Sequence, residues 1–271
     1  MMKMTSDQYS IYIDCMNGGD VVGWKKLADA QDDILFAGNT RGFLGRPIWL
    51  DKTQDRRPPY AFRMLQNGFE ADGSPWAEFI YTVPNYDNVE TAVNPLMGLE
   101  TVKRITLRDG GKRVTIQFTF TNKNEMKKTI PLEFRINNAP IPGNRFLGLT
   151  RAAGTITEIG YVSPQGPAKL TASYSGYESA FGGGGQNVYL VRIPRRDQRQ
   201  HTAELEWNYS PITVTAAVEG MSESLTIVPP DQGIAGVYSW RGVKLCTVEP
   251  YSENIPLQPG ENKTFTLEFI R

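Results

Sequence analysis

Short runs of alternating apolar and polar residues constrain this chain more than any other feature of its sequence. In the clearest run, Val114–Thr121, every second residue is Val, Ile or Phe, and the residues between them are Thr or Gln. A period of two predicts a strand with one buried and one solvent-facing side. Comparable runs are Tyr9–Ile13, Val102–Leu107, Ile130–Ile136, Lys169–Tyr174, Val188–Ile193, Ala203–Tyr209, Ile212–Val218, Ser224–Val228, Lys244–Glu249 and Lys263–Ile270. We therefore expect an all-β chain.

Turn-forming residues separate these runs along the whole chain. No linker rich in charge, Ser or Pro divides the sequence, and it has no internal repeat of the kind that indicates a propeller or a solenoid. A chain of 271 residues is long enough to bury a large core without disulfides or metals. The sequence thus predicts that residues 1–271 form one domain, a single large sandwich of antiparallel sheets.

The segment Gly38–Tyr86 is the least regular part of the sequence. It interleaves many aromatic residues with arginines, among them Trp76 and Arg63. Loops on a rigid sandwich commonly carry its binding surface. We expect this segment to be a loop region that contributes to such a surface.

Composition excludes several functional classes. The chain has 29 basic and 29 acidic residues, so no net field attracts nucleic acid. Cys15 and Cys246 lie at opposite ends, a spacing that predicts two reduced thiols, with a clasp between terminal strands as the alternative. The only histidine, His201, follows a polar run and is expected in a solvated loop. The glycines at 182–185 lack the Lys-Ser/Thr of a phosphate loop. No metal or cofactor is expected.

The amino-terminal segment Met1–Ser10 is polar and has no apolar run of signal-peptide length. No later window approaches the roughly 18 apolar residues of a membrane span. The chain as given is therefore expected to be soluble. Two locations stay open: the cytoplasm, or a secreted or periplasmic site reached after removal of a signal.

The last fifty residues carry the most specific motifs. A strand containing Glu249-Pro250 is followed by the turn Leu257-Gln258-Pro259-Gly260-Glu261, and near the start stands Gly18-Gly19-Asp20-Val21-Val22. The order of these motifs resembles the galactose mutarotase-like (aldose 1-epimerase-like) superfamily, and the resemblance extends over nearly the whole chain. It implies a supersandwich of two large antiparallel sheets that binds a sugar on one concave sheet.

The resemblance also implies roles for particular residues. Glu249 stands where the epimerases of that superfamily have a catalytic base, and Arg46 resembles an arginine near the first sugar-facing hairpin. The superfamily's histidine at the end of the middle strand is replaced here by Asn137-Asn138-Ala139. An amide binds a sugar hydroxyl but cannot act as a general acid near pH 7. Catalysis by the mechanism of the superfamily is therefore not expected.

Three hypotheses follow. The first is a carbohydrate-recognising domain, non-catalytic or divergent in its chemistry, that binds a small or oligomeric sugar. The second is a sugar epimerase or other carbohydrate-modifying enzyme with Glu249 as base, and the third is a structural sandwich without a ligand. Nothing in the sequence indicates an oligomeric state. The residues predicted to surround Glu249 in a sugar site are Arg46, Arg63, Trp76, Arg135, Asn137 and Trp240.

Overall fold

A computed structural model gives the arrangement of most of the chain. The structure describes residues 1–29, 33–37, 40–51, 54–56, 61–84, 95–139, 146–151, 157–159, 170–172, 178–181, 189–192, 212–218, 221–228, 230, 232–241 and 246–271. His201 and the predicted strand Ala203–Tyr209 lie outside these residues.

The described residues are almost entirely strands. In the first half these are β1 (Met2–Thr5), β2 (Tyr9–Asp14), β3 (Asp20–Lys26), β4 (Phe36–Ala37), β5 (Thr40–Arg41), β6 (Phe43–Asp51), β7 (Gln54–Arg56), β8 (Arg63–Phe69), β9 (Pro75–Thr82), β10 (Leu99–Arg108), β11 (Arg113–Asn122), β12 (Ile130–Leu132) and β13 (Phe134–Ala139). In the second half they are β14 (Phe146–Arg151), β15 (Thr157–Ile159), β16 (Leu170–Ala172), β17 (Glu178–Phe181), β18 (Tyr189–Arg192), β19 (Ile212–Val218), β20 (Met221–Val228), β21 (Ile234–Arg241), β22 (Cys246–Ser252), β23 (Ile255–Leu257) and β24 (Asn262–Ile270).

Helical structure is limited, among these residues, to two single 3₁₀ turns, Cys15–Asn17 and Asp109–Gly111. The prediction of an all-β fold is therefore confirmed. Within the ranges given above, no helix is long and apolar enough to cross a membrane.

Two large sheets contain most of the strands, and all the pairings between strands are antiparallel. The ten-stranded sheet has the order β1-β2-β3-β6-β13-β22-β21-β18-β17, with β7 added beside β6. The eight-stranded sheet has the order β14-β19-β20-β24-β11-β10-β9-β8. Three small two-stranded sheets pair β12 with β23, β15 with β16 and β4 with β5. This is the predicted antiparallel sandwich.

The core lies between the two large sheets, where each contributes the apolar half of its alternating pattern. Val114, Ile116 and the other even-numbered residues of β11 are buried, while the threonines between them are only partly covered. Across the interface, the ring of Phe134 in β13 lies 4.7 Å from that of Phe120 and 4.8 Å from that of Phe265 in β24. These rings join the two sheets because aromatic pairs at such separations are favourable.

The expectation that Gly38–Tyr86 is mainly loop was wrong. Strands β5 to β9 occupy much of this segment. In β9, Ala77 and Phe79 are buried in the core while Trp76 and Glu78 face outward, so the segment does alternate. The aromatic residues on the outward face obscure the pattern, because a period of two in hydrophobicity needs polar residues on that face.

The single-domain organisation of residues 1–271 remains a prediction, and the order of strands in the sheets favours it. Strand β24, at the end of the chain, pairs with β11 from its first half, and β6, β13 and β22 are adjacent. Neither half of the chain can therefore complete a sheet alone. We expect limited proteolysis to yield no stable half-length fragment, as judged by mass spectrometry and circular dichroism of the products. Recovery of a folded half would contradict the prediction.

Candidate functional site

Polar side chains form a row on the face of the ten-stranded sheet that is turned away from the core. This face is called the polar face below. In β13, Phe134 and Ile136 are buried in the core, so Arg135 and Asn137 point to the other face. Asn137 pairs directly with Arg46 of β6.

On its other side, β13 pairs with β22. Arg135 is opposite Tyr251 and Asn138 is opposite Val248. The same register sets Asn137 opposite Glu249, because in an antiparallel pair one step forward from Val248 to Glu249 matches one step back from Asn138 to Asn137. Directly opposed residues share a face. Arg46, Asn137 and Glu249, which the sequence predicted to lie together, therefore occupy neighbouring positions on one face.

Arg135 and Glu249 form an ion pair within this row. The Nη1 atom of Arg135 lies 3.4 Å from Oε2 of Glu249, and both side chains are largely buried. Next to them, Oδ1 of Asn137 is buried and accepts no hydrogen bond from any described residue. Buried acceptors in native proteins are normally satisfied by protein or water. An unsatisfied amide oxygen beside a buried ion pair is therefore a position where a hydroxyl or amine of a ligand would be stabilised.

A β-bulge in β6, opposite Asn138 of β13, shapes the centre of the row. The pairing of β6 with β13 shifts by one residue between Asn137 and Ala139. Asn138 is fully buried, accepts a hydrogen bond from the backbone N–H of Gly45 at 2.7 Å and donates to the carbonyl of Val248 at 2.9 Å. Its amide thus ties together β6, β13 and β22. Bulges commonly redirect a side chain next to a functional site.

Gly45 is required on β6 at this bulge. Its φ is +72°, a left-handed conformation, and an added Cβ would lie 2.5 Å from Cδ1 of Ile116 in the facing sheet. Only glycine avoids both the backbone strain and the clash. The backbone position of the next residue, Arg46, is consequently fixed, and its side chain extends from there onto the polar face.

Arg46 forms an ion pair with the buried side chain of Asp20. Its Nε lies 2.7 Å from Oδ2 of Asp20, whose carboxylate is fully buried, and its guanidinium stacks 3.8 Å from the centre of the Phe43 ring. The Arg46 side chain keeps 30% of its surface exposed. The residue is therefore anchored at Nε while its outer part reaches the surface.

A lysine from the other sheet completes the network. Lys103 of β10 is fully buried, and its Nζ donates to the carbonyls of Gly18, Gly19 and Gly45 at 2.5–3.1 Å. The same nitrogen lies 3.8 Å from Oδ1 of Asp20. All three N–H groups of the ammonium therefore have acceptors.

Burial shifts the pKa values of the ion pair formed by Lys103 and Asp20. It lowers the pKa of Lys103 from an ordinary 10.5 to about 8, although the carboxylate of Asp20 opposes the shift. Burial likewise raises the pKa of Asp20, against the effects of Lys103 and Arg46. Desolvation disfavours either charge, and the opposite charges beside it favour ionisation. Below pH 8, Lys103 is predominantly an ammonium.

The structure does not bring Arg63 and Trp76 together with this row. Both lie on the outward face of the eight-stranded sheet: Arg63 pairs with Ile80 at the edge strand β8, and Trp76 stacks 3.9 Å from the guanidinium of Arg104. The alternating pattern predicts which side of a strand a residue lies on, but it does not predict which of the two sheets the strand belongs to. The sequence could therefore not exclude Arg63 and Trp76 from the site.

Trp240 belongs to the ten-stranded sheet by its backbone. It pairs with Thr247 of β22, two residues along from the pairing of Tyr238 with Glu249. The structure places the backbone of Trp240 and no more, so its role in the site stays a prediction.

Three residues of the site were missed by the sequence analysis, namely Asp20, Lys103 and Asn138. A signal for Lys103 exists, because the alternation of β10 puts Thr101, Lys103 and Ile105 on the buried side. A charged residue in such a position requires partners. The partners are not readable from the sequence, because they are backbone carbonyls distant along the chain.

The thiol of Cys15 is free and partly buried, and burial raises its pKa. The side chain of Cys246 is outside what the structure describes, so the proposed clasp is untested. Among the described residues, no group of three or more His, Cys, Asp and Glu side chains is arranged to hold a metal ion.

The strand order and packing define a class of protein, the large two-sheet antiparallel sandwiches. Among solved structures, a galactose mutarotase-like protein from Lactobacillus casei ATCC 334 has a TM-score of 0.58 and 14% sequence identity, with 100% of this chain and 99% of that chain covered. A galactose mutarotase related enzyme from Lactobacillus acidophilus has a TM-score of 0.58 and 10% identity, covering 99% and 96%. A galactose mutarotase-like protein from Clostridium acetobutylicum has a TM-score of 0.54 and 9% identity, covering 98% and 93%.

The fold of this chain is thus the galactose mutarotase-like supersandwich. The expected resemblance to that superfamily is confirmed at the level of the fold. No family model matches the sequence, and no curated protein matches it.

The buried ammonium of Lys103 generates a stability prediction. Lys103→Met removes one member of a buried ion pair and the hydrogen bonds that it donates to three carbonyls, so the free energy of unfolding at pH 7 should fall by about 3–5 kcal/mol. Urea denaturation measures this loss. Lys263→Met is the control, because that lysine is half exposed and its ion pair among the described residues is with Glu261. The control should change stability by no more than about 0.5 kcal/mol, and equal losses in both variants would contradict the prediction.

The same group predicts a dependence on pH. Between pH 8 and 10.5, the unfolded chain holds a proton on Lys103 that the folded protein has released. The unfolded state then binds more protons, so the contribution of Lys103 to stability rises with pH in this window and is constant below it. The free energy of unfolding of the wild type relative to Lys103→Met should rise from pH 8 to 10. A difference that stays flat would show that folding leaves the pKa of Lys103 unshifted, and a difference that falls would show that folding raises it.

Proposed function

We propose that this protein recognises a carbohydrate on the polar face of the ten-stranded sheet. The observation that carries the proposal is the buried Arg135–Glu249 ion pair beside the unsatisfied Oδ1 of Asn137. Sugar hydroxyls both donate and accept hydrogen bonds, and planar carboxylate, amide and guanidinium groups satisfy them in pairs. The row supplies acceptors at Glu249 and Asn137 and donors at Arg46 and Arg135.

The likeness in fold supports this choice of ligand. The solved structures with the same fold include proteins named after galactose mutarotase. We propose Trp240 as a further contact, since saccharide C–H faces pack on aromatic rings. Arg63 and Trp76 are not part of the proposed site because they belong to the other sheet.

Binding without rapid catalysis is the form of this function that we propose. An anomer-interconverting enzyme needs one group to remove the anomeric proton and another to protonate the ring oxygen. Glu249 supplies a carboxylate, and the strand register places around it an amide, two guanidiniums and two tyrosines, Tyr251 beside Arg135 and Tyr238 opposite Glu249. A phenol, with an ordinary pKa of about 10, is a weak general acid near pH 7. Arginine is too strongly protonated to act as a general acid and would contribute electrostatically.

Replacement of Glu249 tests the site. Glu249→Gln keeps the shape but removes the charge that pairs with Arg135 and accepts hydroxyl hydrogens, so affinity should fall by about tenfold or more. Calorimetric titration with D-glucose, D-galactose, D-glucuronate and D-galacturonate measures this.

The matched control is Glu78→Gln, which breaks an equivalent Glu–Arg pair, with Arg104 at 2.9 Å, on the other sheet. It should leave affinity unchanged. Equal affinity in Glu249→Gln and the wild type would remove Glu249 from the site. Absence of binding to every sugar, and to oligosaccharides on a glycan array, would favour the ligand-free structural sandwich.

Polarimetry tests whether the protein is an enzyme. General acid or base assistance is worth about 10²–10⁴-fold for each group. Because the described part of the row contains no histidine to protonate the ring oxygen, we expect no acceleration of anomer interconversion in fresh α-D-glucose or α-D-galactose beyond the low level that a lone carboxylate provides. Rapid interconversion that is abolished by Glu249→Gln and His201→Asn together would replace the binding hypothesis with the epimerase hypothesis.

A further inference from the structure

We propose that Asp20 and Lys103 are positioning residues that set the guanidinium of Arg46 for the ligand of the polar face. This inference rests on the proposed function and goes beyond it, because neither residue lies on that face. Asp20 is fully buried beneath Arg46, and Lys103 belongs to the opposite sheet.

The first step is the way in which Asp20 holds Arg46. The carboxylate contacts Nε, the atom nearest the stem of the side chain, at 2.7 Å. The two terminal nitrogens of Arg46 form no hydrogen bond with any described residue. A guanidinium is planar and rigid, so fixing Nε fixes the direction of its outer N–H groups. The arginine is thereby oriented without the use of the groups that would meet a ligand.

The second step is the place at which Lys103 binds the backbone. Two of its three acceptors are the carbonyls of Gly19 and Gly45, the residues that immediately precede Asp20 and Arg46. One ammonium therefore binds the carbonyls of the peptide bonds that join Gly19 to Asp20 and Gly45 to Arg46. It thereby fixes the backbone positions of Asp20 and Arg46 relative to each other, and its Nζ lies 3.8 Å from Oδ1 of Asp20.

The third step excludes chance packing. If Lys103 only filled space in the core, an apolar residue would serve equally well. If Asp20 only neutralised Lys103, its contact with Arg46 would be unnecessary. Here Oδ1 of Asp20 faces Lys103 and Oδ2 faces Arg46. The aspartate thus stands between the interior charge and the surface charge: Oδ2 accepts a hydrogen bond from Arg46, while Oδ1 interacts with Lys103 through charge at 3.8 Å.

A double-mutant cycle tests the proposal against a purely structural role. Asp20→Asn should weaken binding of the tightest sugar of the four-sugar panel by about tenfold in the wild-type background and by less than about twofold in the Arg46→Ala background. A general loss of structure would weaken binding equally in both backgrounds. Asp72→Asn is the matched control, since Asp72 is exposed and lies beside Arg108, far from this row. It should leave affinity unchanged in either background.

A second measurement requires no sugar and no folded Asp20 variant. In ¹⁵N spectra of the wild type, with Arg46→Lys used for assignment, the Nε–H of Arg46 should exchange with water at least about tenfold more slowly than that of the more exposed Arg108, because a persistent hydrogen bond shields it. Lys103→Met should accelerate this exchange while leaving that of Arg108 unchanged.

The outcomes separate the two proposals. Slow exchange at Arg46 that depends on Lys103, with no sugar bound by the wild type, would support the positioning of Arg46 and overturn the proposed function. Sugar binding in which Asp20→Asn has the same effect in both backgrounds would overturn the positioning role and leave the proposed function intact. Exchange at Arg46 as fast as at Arg108 would overturn the positioning role whatever the sugar data.

Discussion

The ammonium of Lys103, buried between the two sheets, is the interaction on which the polar face depends. Removing such an ion from water costs several kcal/mol, and the protein offsets this with three backbone acceptors and one carboxylate. The compensation succeeds only if Gly18, Gly19 and Gly45 keep their relative positions. The same charge that connects the sheets therefore also fixes the backbone that carries Asp20 and Arg46.

Most of the fold was predictable because burial in a sheet is a local property with a period of two. The run at Val114–Thr121 became β11, and the ends of the chain fell into the predicted pair of sheets. The strand predicted to end at Glu249 instead runs on to Ser252, so Pro250 does not end it as the sequence pattern suggested.

The candidate site was only partly predictable, since its assembly depends on which strands are neighbours. Arg46, Arg135, Asn137 and Glu249 come together because β6, β13 and β22 are adjacent, and periodicity does not specify that order. Trp76 has the chemistry of a sugar contact but lies on the other sheet. There it packs against Arg104, in a partly exposed cluster of ion pairs of the kind that contributes little to stability.

The φ of +72° at Gly45 has a consequence for how this protein can change over evolution. A side chain there would collide with Ile116 in the core and displace both the carbonyl that receives Lys103 and the start of Arg46. A single substitution there would therefore disturb the core, the acceptor of Lys103 and the start of Arg46 together. Substitutions should consequently be tolerated more readily in the loops around the sheet than at its central bulge.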